Sequence, residues 1–509
     1  MRHRFQLYQR LEQRRSAILE RIRNVPADLG MPEALRGGKM GLLGGSGLHA
    51  SPRAEVLDAI RDGSEKLVGV KSLNARLRTL IKDYYGDEWD SIAVSTGEAA
   101  LHVVIEVLMA PSLAGRGEGH HARYIAPYER HTHHQAGYGT PFPPRYKDIN
   151  AERGATSGEL GMMGKRLWNL ETVLVRLAGA RYESHGIRQF ICPLLRHVDA
   201  EASARKMRRA AEIHAPLLSG FASMAYDTPG YGHSQRDTDG TPLLQRRIGD
   251  LAREFDVPYL VDNARGTPFL GNDPRAIGAD VMIYSTDKAF NGPTGGLIIG
   301  REEVMVQIRR ALGMHGSRSG TVESHEKAAF VAFDPGKEAV LGTIRCLELI
   351  LEDPDSFTRP VARFHEIVRR ELTAALPPEL MAGITVSKSN NSLAVEVDYG
   401  GTWDDGRFGL PIFSIEDMYA GSNLVQAALP ALGMLSGMLA YDGNIIMAPG
   451  LGTTNSRGEL IEEAATWAVR CVARSLAIIH EEAYEGQQSP TPAAVQAGRP
   501  EASRAESLR

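Results

Sequence analysis

Apolar residues along this chain recur in two rhythms. Short runs rich in Val, Ile, Leu and Tyr appear at SIAVS (91–95), RYIAP (123–127), RQFICPL (188–194), PYLVDN (258–263), DVMIYS (280–285) and LIIG (297–300). Each is short enough for a strand, and several lead through a turn into a longer stretch of helical period. FASMAY (221–226) reads as a further strand. Between the runs, NARLRTLIKDYYG carries apolar residues at helical spacing and stops at Gly86. TPLLQRRIGDLAREFDVP (241–258) repeats leucine and isoleucine at three- and four-residue steps with charges between them. Strands alternating with helices predict an α/β unit, a mostly parallel seven-stranded-type sheet with helices on both faces.

After Gly300 the rhythm changes. REEVMVQIRRAL and GKEAVLGTIRCLELILED read as helices. A helix (VARFHEIVRRELTAAL), strands (GITVSK, SLAVEV, IIMAP) and a closing helix (ELIEEAATWAVRCVARSLAIIHEEAY) then form a small α+β unit. The expected organisation is an N-terminal helical segment over 1–40, a large ligand-binding domain over 41–345, a small C-terminal α+β domain over 346–485 and a disordered tail over 486–509, rich in Gln, Ser, Pro and Ala. The Arg-rich first helix is amphipathic and is expected to end near Pro26 and Pro32. The loop LAGRGEGHHA and the block 150–187 read as insertions.

Bulk composition narrows the function classes. With 509 residues, 43% hydrophobic, 24% charged and a net charge of -4, the chain has an ordinary globular balance that does not point to nucleic acid as a main partner. The three cysteines, Cys192, Cys346 and Cys471, lie too far apart for metal-ligand spacing and read as reduced thiols. MRHRFQLYQRLEQRR lacks the apolar core of a signal peptide, and no apolar run reaches membrane-spanning length, so a cytoplasmic protein is expected.

Candidate chemistry lies at the ends of the predicted strands. In VDNARGTPF a strand ends on Asp262, and ligands of open α/β sheets bind beyond the carboxyl ends of the strands. A turn or capping aspartate would look the same. In YSTDKAFNGPTGG a lone lysine, Lys288, follows the next strand. A partly desolvated amine there can form an imine, whereas a solvated turn lysine would do nothing. In SIAVSTGEAALHVV a strand leads through Ser95, Thr96, Gly97 and Glu98 into an apolar helix. That is an anion cup if the helix N-terminus faces a ligand, and an ordinary N-cap otherwise. In IAPYERHTHHQAGYG, three histidines (His131, His133, His134) follow a strand. They suit metal ligation or stacking on an aromatic ring, and no Cys or carboxylate set accompanies them to favour a metal.

The order of these pieces resembles fold-type I pyridoxal-phosphate enzymes, the aspartate aminotransferase superfamily, over roughly residues 40–480. STDKAFNGPTGG is similar to the lysine segment of bacterial selenocysteine synthase and its relatives. VDNARGTPF is similar to the Val-Asp-Asn segment of the transsulfuration enzymes of cysteine and methionine metabolism and of some aminotransferases. The resemblance implies pyridoxal 5'-phosphate as cofactor and no metal. It implies that Lys288 forms the Schiff base and then acts as general base at Cα, and that Asp262 pairs with the pyridinium nitrogen. Thr96, Gly97, Glu98 and Ser285 would cradle the phosphate. His131, or else His133 or His134, would stack on the ring, and Arg265 would lie near it. Thr294 would reach the phosphate of a neighbouring subunit's cofactor, and Arg457, in GLGTTNSRGE, would take a substrate carboxylate.

Two departures matter. Asp287 stands where most of the superfamily has histidine, and DTPGYG (227–232) lacks the asparagine that bonds the ring hydroxyl. The first favours the selenocysteine-synthase-like side over ordinary aminotransferases, and lyase or elimination and replacement chemistry on an amino acid or amine is the leading expectation. Alternatives are an aminotransferase, a tRNA-dependent transferase like selenocysteine synthase, and a binding protein that has kept the fold without activity. The resemblance also implies at least a homodimer.

Overall fold

The computed structural model describes residues 2–42, 52–109, 122–128, 187–193, 200–215, 218–225, 235–313, 331–406, 409–415, 417, 423–435, 439–441 and 443–485. Helix α1 (Arg2–Asp28) is followed by strand β1 (Met40–Gly41), helices α2 (Ala54–Ser64) and α3 (Val70–Tyr85), strand β2 (Trp89–Val94) and helix α4 (Gly97–Leu108). Strands β3 (Ala122–Tyr128), β4 (Ile187–Pro193), β5 (Leu218–Met224), β6 (Tyr259–Asp262), β7 (Val281–Ser285) and β8 (Gly296–Arg301) complete a seven-stranded sheet in the order β2-β8-β7-β6-β5-β3-β4. The described pairs from β3 to β7 are parallel, whereas β8 runs antiparallel to both β7 and β2. The reason is local. The chain returns from β7 to β8 through a loop without a helix, and such a short return makes an antiparallel neighbour.

The alternation inside each apolar run decides which layer a side chain joins. Ile283, Ile298 and Leu260 belong to one core with Val103 and Val104 of α4 and Met305 and Ile308 of the helix Glu302–Ala311. Their neighbours Met282, Tyr284, Leu297 and Ile299 belong to the other core, with Leu77 and Ile81 of α3 and Ile344 of the helix Lys337–Glu352. Both sheet faces are covered, so β2, β6 and β7 are buried throughout.

A second, antiparallel sheet has the order β12-β13-β10-β9, with β9 (Thr385–Ser389), β10 (Ala394–Asp398), β12 (Leu439–Tyr441) and β13 (Asn444–Met447). β11 (Met434–Leu435) pairs separately, in parallel, with β1. The sequence signals β9, β10 and β13. It does not signal β12, which is three residues long and too short for an alternation to register. The helix expected from Val361 starts earlier, at Asp355, because Pro360 is accommodated inside it. α1 likewise runs through Pro26 in its last turn.

α1 packs on the C-terminal helix, Glu462–Tyr484. Leu7, Leu11, Ile18, Ile22 and Val25 recur on one buried face. Its arginines are engaged as well: Arg14 Nε lies 2.6 Å from Glu482, Arg21 reaches Glu481 at 2.8 Å, and Arg15 reaches the buried Asp417 at 3.2 Å. Cys346 and Cys471 are free and buried, and burial pushes their thiols up to about 12 and about 11.

A buried ion pair ties the sheet edge to its covering helix. Arg309 donates to Asp90 from Nε at 2.9 Å and from Nη2 at 2.6 Å, and Nη2 also donates to the Ser91 carbonyl at 2.6 Å. Asp90 and Arg309 are 1% and 3% exposed. Arg78 Nε also lies 3.1 Å from Asp90, so Asp90 keeps one cation when Arg309 is removed, and the cost falls below the about 3–5 kcal/mol of leaving a buried charge with no partner. Arg309→Ala is therefore expected to lower the denaturation midpoint in chemical unfolding, and a near-native midpoint would show that Arg78 alone suffices for Asp90.

Candidate active site

The candidate residues gather where β6 and β7 end. Asp262, 2% exposed, is the last residue of β6, and its Oδ1 accepts the Ala264 N–H at 3.0 Å. The Ser285 N–H donates to the Ala264 carbonyl at 3.2 Å, which joins the two strand ends. The Ser285 hydroxyl donates to Asp287 at 2.8 Å. Beyond it the glycine-rich loop is closed at its base: the Thr286 N–H donates to the Gly295 carbonyl at 3.0 Å, and the Gly292 N–H to the Thr286 carbonyl at 2.8 Å. Asn291 adopts φ 54, a left-handed conformation that asparagine tolerates better than most residues.

Lys288 sits half-buried in that loop. Burial holds its amine below the ordinary lysine value. The Asp262 carboxylate pulls it up, the Arg265 guanidinium pushes it down, and Glu98 and Asp287 pull it up. Among the described residues, no hydrogen bond or ion pair engages this amine. The structure thus brings Lys288, Asp262, Arg265, Asp287 and Glu98 into one electrostatic neighbourhood, although the sequence spreads them over three strand ends.

The start of α4 lies against the same place. The Thr96 hydroxyl accepts the Ala99 N–H at 3.0 Å, so it is an N-cap, as its residue type favours. Its own proton stays available to a further acceptor. A Cβ on Gly97 would lie 2.8 Å from the Ser285 Cβ and 2.9 Å from its Oγ. Only glycine lets the helix N-terminus approach the end of β7 so closely.

Other expected residues stand elsewhere. Thr294 is exposed on the loop before β8. Arg457 is exposed in a tight turn, its N–H donating to Asn455 Oδ1 at 2.9 Å. His131, His133 and His134 lie outside the described residues, as does DTPGYG. Among the described residues, no group of three or more His, Cys, Asp or Glu side chains could hold a metal, and no helix is long and apolar enough to cross a membrane.

No family model matches the chain. It is 38% identical over 76 residues to a UPF0425 pyridoxal phosphate-dependent protein of Methanosphaera stadtmanae, which is 14% of this chain and 20% of that relative. It is 25% identical over 178 residues to an L-seryl-tRNA(Sec) selenium transferase of Carboxydothermus hydrogenoformans, 34% of this chain and 37% of that one. The chain therefore spans only about a fifth to somewhat over a third of these relatives' lengths. Among solved structures it is similar to a D-glucosaminate-6-phosphate ammonia-lyase at 17% identity and TM-score 0.46, covering 89% of this chain and 98% of that one. It is also similar to an alanine–glyoxylate aminotransferase of Nostoc at 16% identity and TM-score 0.48, covering 87% and 95%.

The deciding observation is topological: seven strands, with the last one inserted antiparallel between the first and the sixth. The chain has the fold-type I fold of pyridoxal-phosphate transferases. In this fold-type I chain, sequence reading missed some residues of the Asp262 segment. Thr267 is 1% exposed, and its hydroxyl has no partner among the described residues. Phe269 takes φ 70, unusual for an aromatic residue, and is wedged against Tyr84 and Tyr85 with ring centroids 4.4 and 5.7 Å away. Asn263 pairs with Asn391 from the other sheet. The only sequence signal for that pairing is the two glycines that flank it, Gly266 and Gly271.

Proposed function

We propose that this chain is a pyridoxal-phosphate-dependent enzyme acting on an amino acid or amine, with Lys288 as the residue that carries the cofactor. The observation that supports this best is the convergence of a half-buried lysine, without a partner among the described residues, and a buried strand-end carboxylate beside a helix start that only glycine permits. The residues fit the group. The N-terminus of α4, brought against the end of β7 by Gly97, suits a phosphate dianion, favoured by the helix dipole, and the Thr96 hydroxyl still has a proton to donate. The Ser285 hydroxyl can join only by exchanging Asp287 for phosphate.

When bound, the cofactor supplies an electron sink for bond breaking at Cα. The lowered basicity of the Lys288 amine increases the unprotonated fraction near neutral pH, which is the nucleophilic form. The same amine then takes and returns the proton at Cα. The Asp262 carboxylate holds a proton on the ring nitrogen, and Arg265 adds positive charge beside it. His131, or His133 or His134, is proposed as the ring-stacking group. Thr294, exposed, is proposed to serve the cofactor of a second copy of the chain, and Arg457 to take a substrate carboxylate.

Within this reading we favour lyase or elimination and replacement chemistry; Asp287 in place of the usual histidine sets the chain apart from ordinary aminotransferases. Aminotransfer is the second reading; formation of alanine from pyruvate by protein loaded with pyridoxamine phosphate would favour it. The tRNA-dependent reading draws no support from α1, whose Arg14, Arg15 and Arg21 already pair with carboxylates.

Titration of apoprotein with pyridoxal phosphate tests the proposal. A visible absorbance band saturating at one cofactor per chain is expected. Gly97→Ala is expected to weaken binding about tenfold or more, equivalent to about 1.4 kcal/mol, because its methyl group would clash with Ser285 and push the start of α4 away from the end of β7. A chain that develops no band would overturn the proposal, and a Gly97→Ala protein binding as tightly as wild type would remove the phosphate site from α4.

A further inference from the structure

The turn between β9 and β10 carries an asparagine that reaches across to the large sheet. Asn391 is 1% exposed, and all four of its hydrogen-bonding positions are used. Its amide nitrogen donates to Asn263 Oδ1 at 2.8 Å and to the Ala225 carbonyl at 2.8 Å. Its Oδ1 accepts from Asn263 Nδ2 at 3.1 Å and from the Asn272 N–H at 3.2 Å. Asn272 closes the ring by donating its own amide to the Ala225 carbonyl at 2.5 Å.

Each partner belongs to the carboxyl end of the large sheet. Asn263 follows Asp262 directly, Ala225 follows β5, and its N–H donates to the Asp262 carbonyl at 3.0 Å. Room for the two amides is made by glycine. A Cβ on Gly271 would strike Asn391 Oδ1, and one on Gly266 would strike the Asn263 amide. The turn is itself fixed: the Ser392 N–H and hydroxyl donate to Ser389 Oγ at 2.9 and 2.8 Å, and Leu393 is held at φ 44. A fully satisfied buried polar network specifies one arrangement, because any slip leaves buried amides unpaired.

We infer that Asn391 is a positioning residue: it docks the small sheet onto the segment 263–272 and thereby sets where Asp262 and Arg265 stand relative to Lys288. This rests on the reading of Lys288 and Asp262 proposed above. Segment 263–272 is held from both sides, by Asn391 on one and by Phe269 against Tyr84 and Tyr85 on the other. Movement of the small sheet is therefore transmitted to the charges around the reactive amine.

The test is made on apoprotein. The rate at which an amine-arylating reagent modifies Lys288 is measured against pH by peptide mapping, alongside hydrogen exchange of 263–272. Asn391→Leu keeps the branched shape of the side chain, at somewhat larger volume, and loses all four bonds. With the segment loosened, water reaches Lys288 and Arg265 moves away, both raising its affinity for protons. The departure of Asp262 opposes them, but burial is the larger influence. The labelling midpoint is therefore expected to move up by about half a pH unit, a roughly threefold slower labelling below the midpoint, with faster exchange of 263–272.

Gly271→Ala, which leaves Asn391 present but displaces its amide, is expected to shift the midpoint the same way. It carries the test if Asn391→Leu fails to fold. Ser392→Ala, which loosens only the turn, is expected to label like wild type. An unchanged midpoint in a folded Asn391→Leu or Gly271→Ala protein overturns the inference, and so does an equal shift in Ser392→Ala. Failure of the cofactor proposal is distinguishable, because it appears as wild-type protein that takes up no pyridoxal phosphate, whereas the midpoint is read without cofactor.

Discussion

Replacing Lys288 by alanine is expected to abolish borohydride-fixed incorporation of pyridoxal phosphate and to reduce turnover by about a thousandfold or more. Two losses combine. The amine that forms the covalent link disappears, and so does the base at Cα, whose removal alone is worth about 10²–10⁴-fold. The fold should be nearly untouched. No described side chain relies on the Lys288 amine, and the loop that carries it is closed by backbone bonds from Thr286 and Gly292 and by Ser285 donating to Asp287. Circular dichroism and thermal midpoint should therefore match wild type while the fixed label disappears. In wild type, burial lowers the amine's affinity for protons, so adduct formation should rise with pH through a midpoint below that of an exposed lysine. A reduced label that persists in Lys288→Ala and maps to another lysine would overturn the assignment.

Much of the large sheet is legible in the sequence because its strands are buried on both faces. Runs such as VMIY and LIIG then read as continuous apolar stretches, and β7 and β8 fall where those runs do. The order of the strands is not legible from periodicity, which carries no pairing information; it is observed in the structure. Strand-end residues are legible as candidates because the chemistry of a carboxylate, an amine and a capping hydroxyl is local. What sequence leaves dark is the partner that holds them. Asn391 is 128 positions from Asn263, in a turn where two adjacent asparagines read as ordinary turn residues. The commitment of Ser285 to Asp287 is equally hidden, since a hydroxyl two residues from a carboxylate can face either way.

Asp262→Asn is expected to keep the cofactor and lose most turnover, about a hundredfold or more, of the order found when one buried electrostatic partner is removed from a reacting centre. The substitution changes shape very little. The asparagine carbonyl can still accept the Ala264 N–H that Asp262 accepts at 3.0 Å, so the end of β6 should stay in register with β7. Lys288, Thr96 and the close approach of Gly97 to Ser285 are unaltered, so binding should survive. The negative charge is lost, and with it the means of holding a proton on the ring nitrogen as electrons arrive from Cα. The same loss predicts a second, independent reading. Asp262 raises the basicity of Lys288, so its removal lowers the pH midpoint for modification of the amine. Turnover and amine reactivity should thus move in opposite directions, since the amine becomes more available near neutral pH while the reaction slows. That divergence separates loss of the ring partner from a general disturbance of the pocket, which would depress both. A variant that turns over like wild type would remove Asp262 from the ring nitrogen, and an unmoved amine midpoint would separate its charge from Lys288.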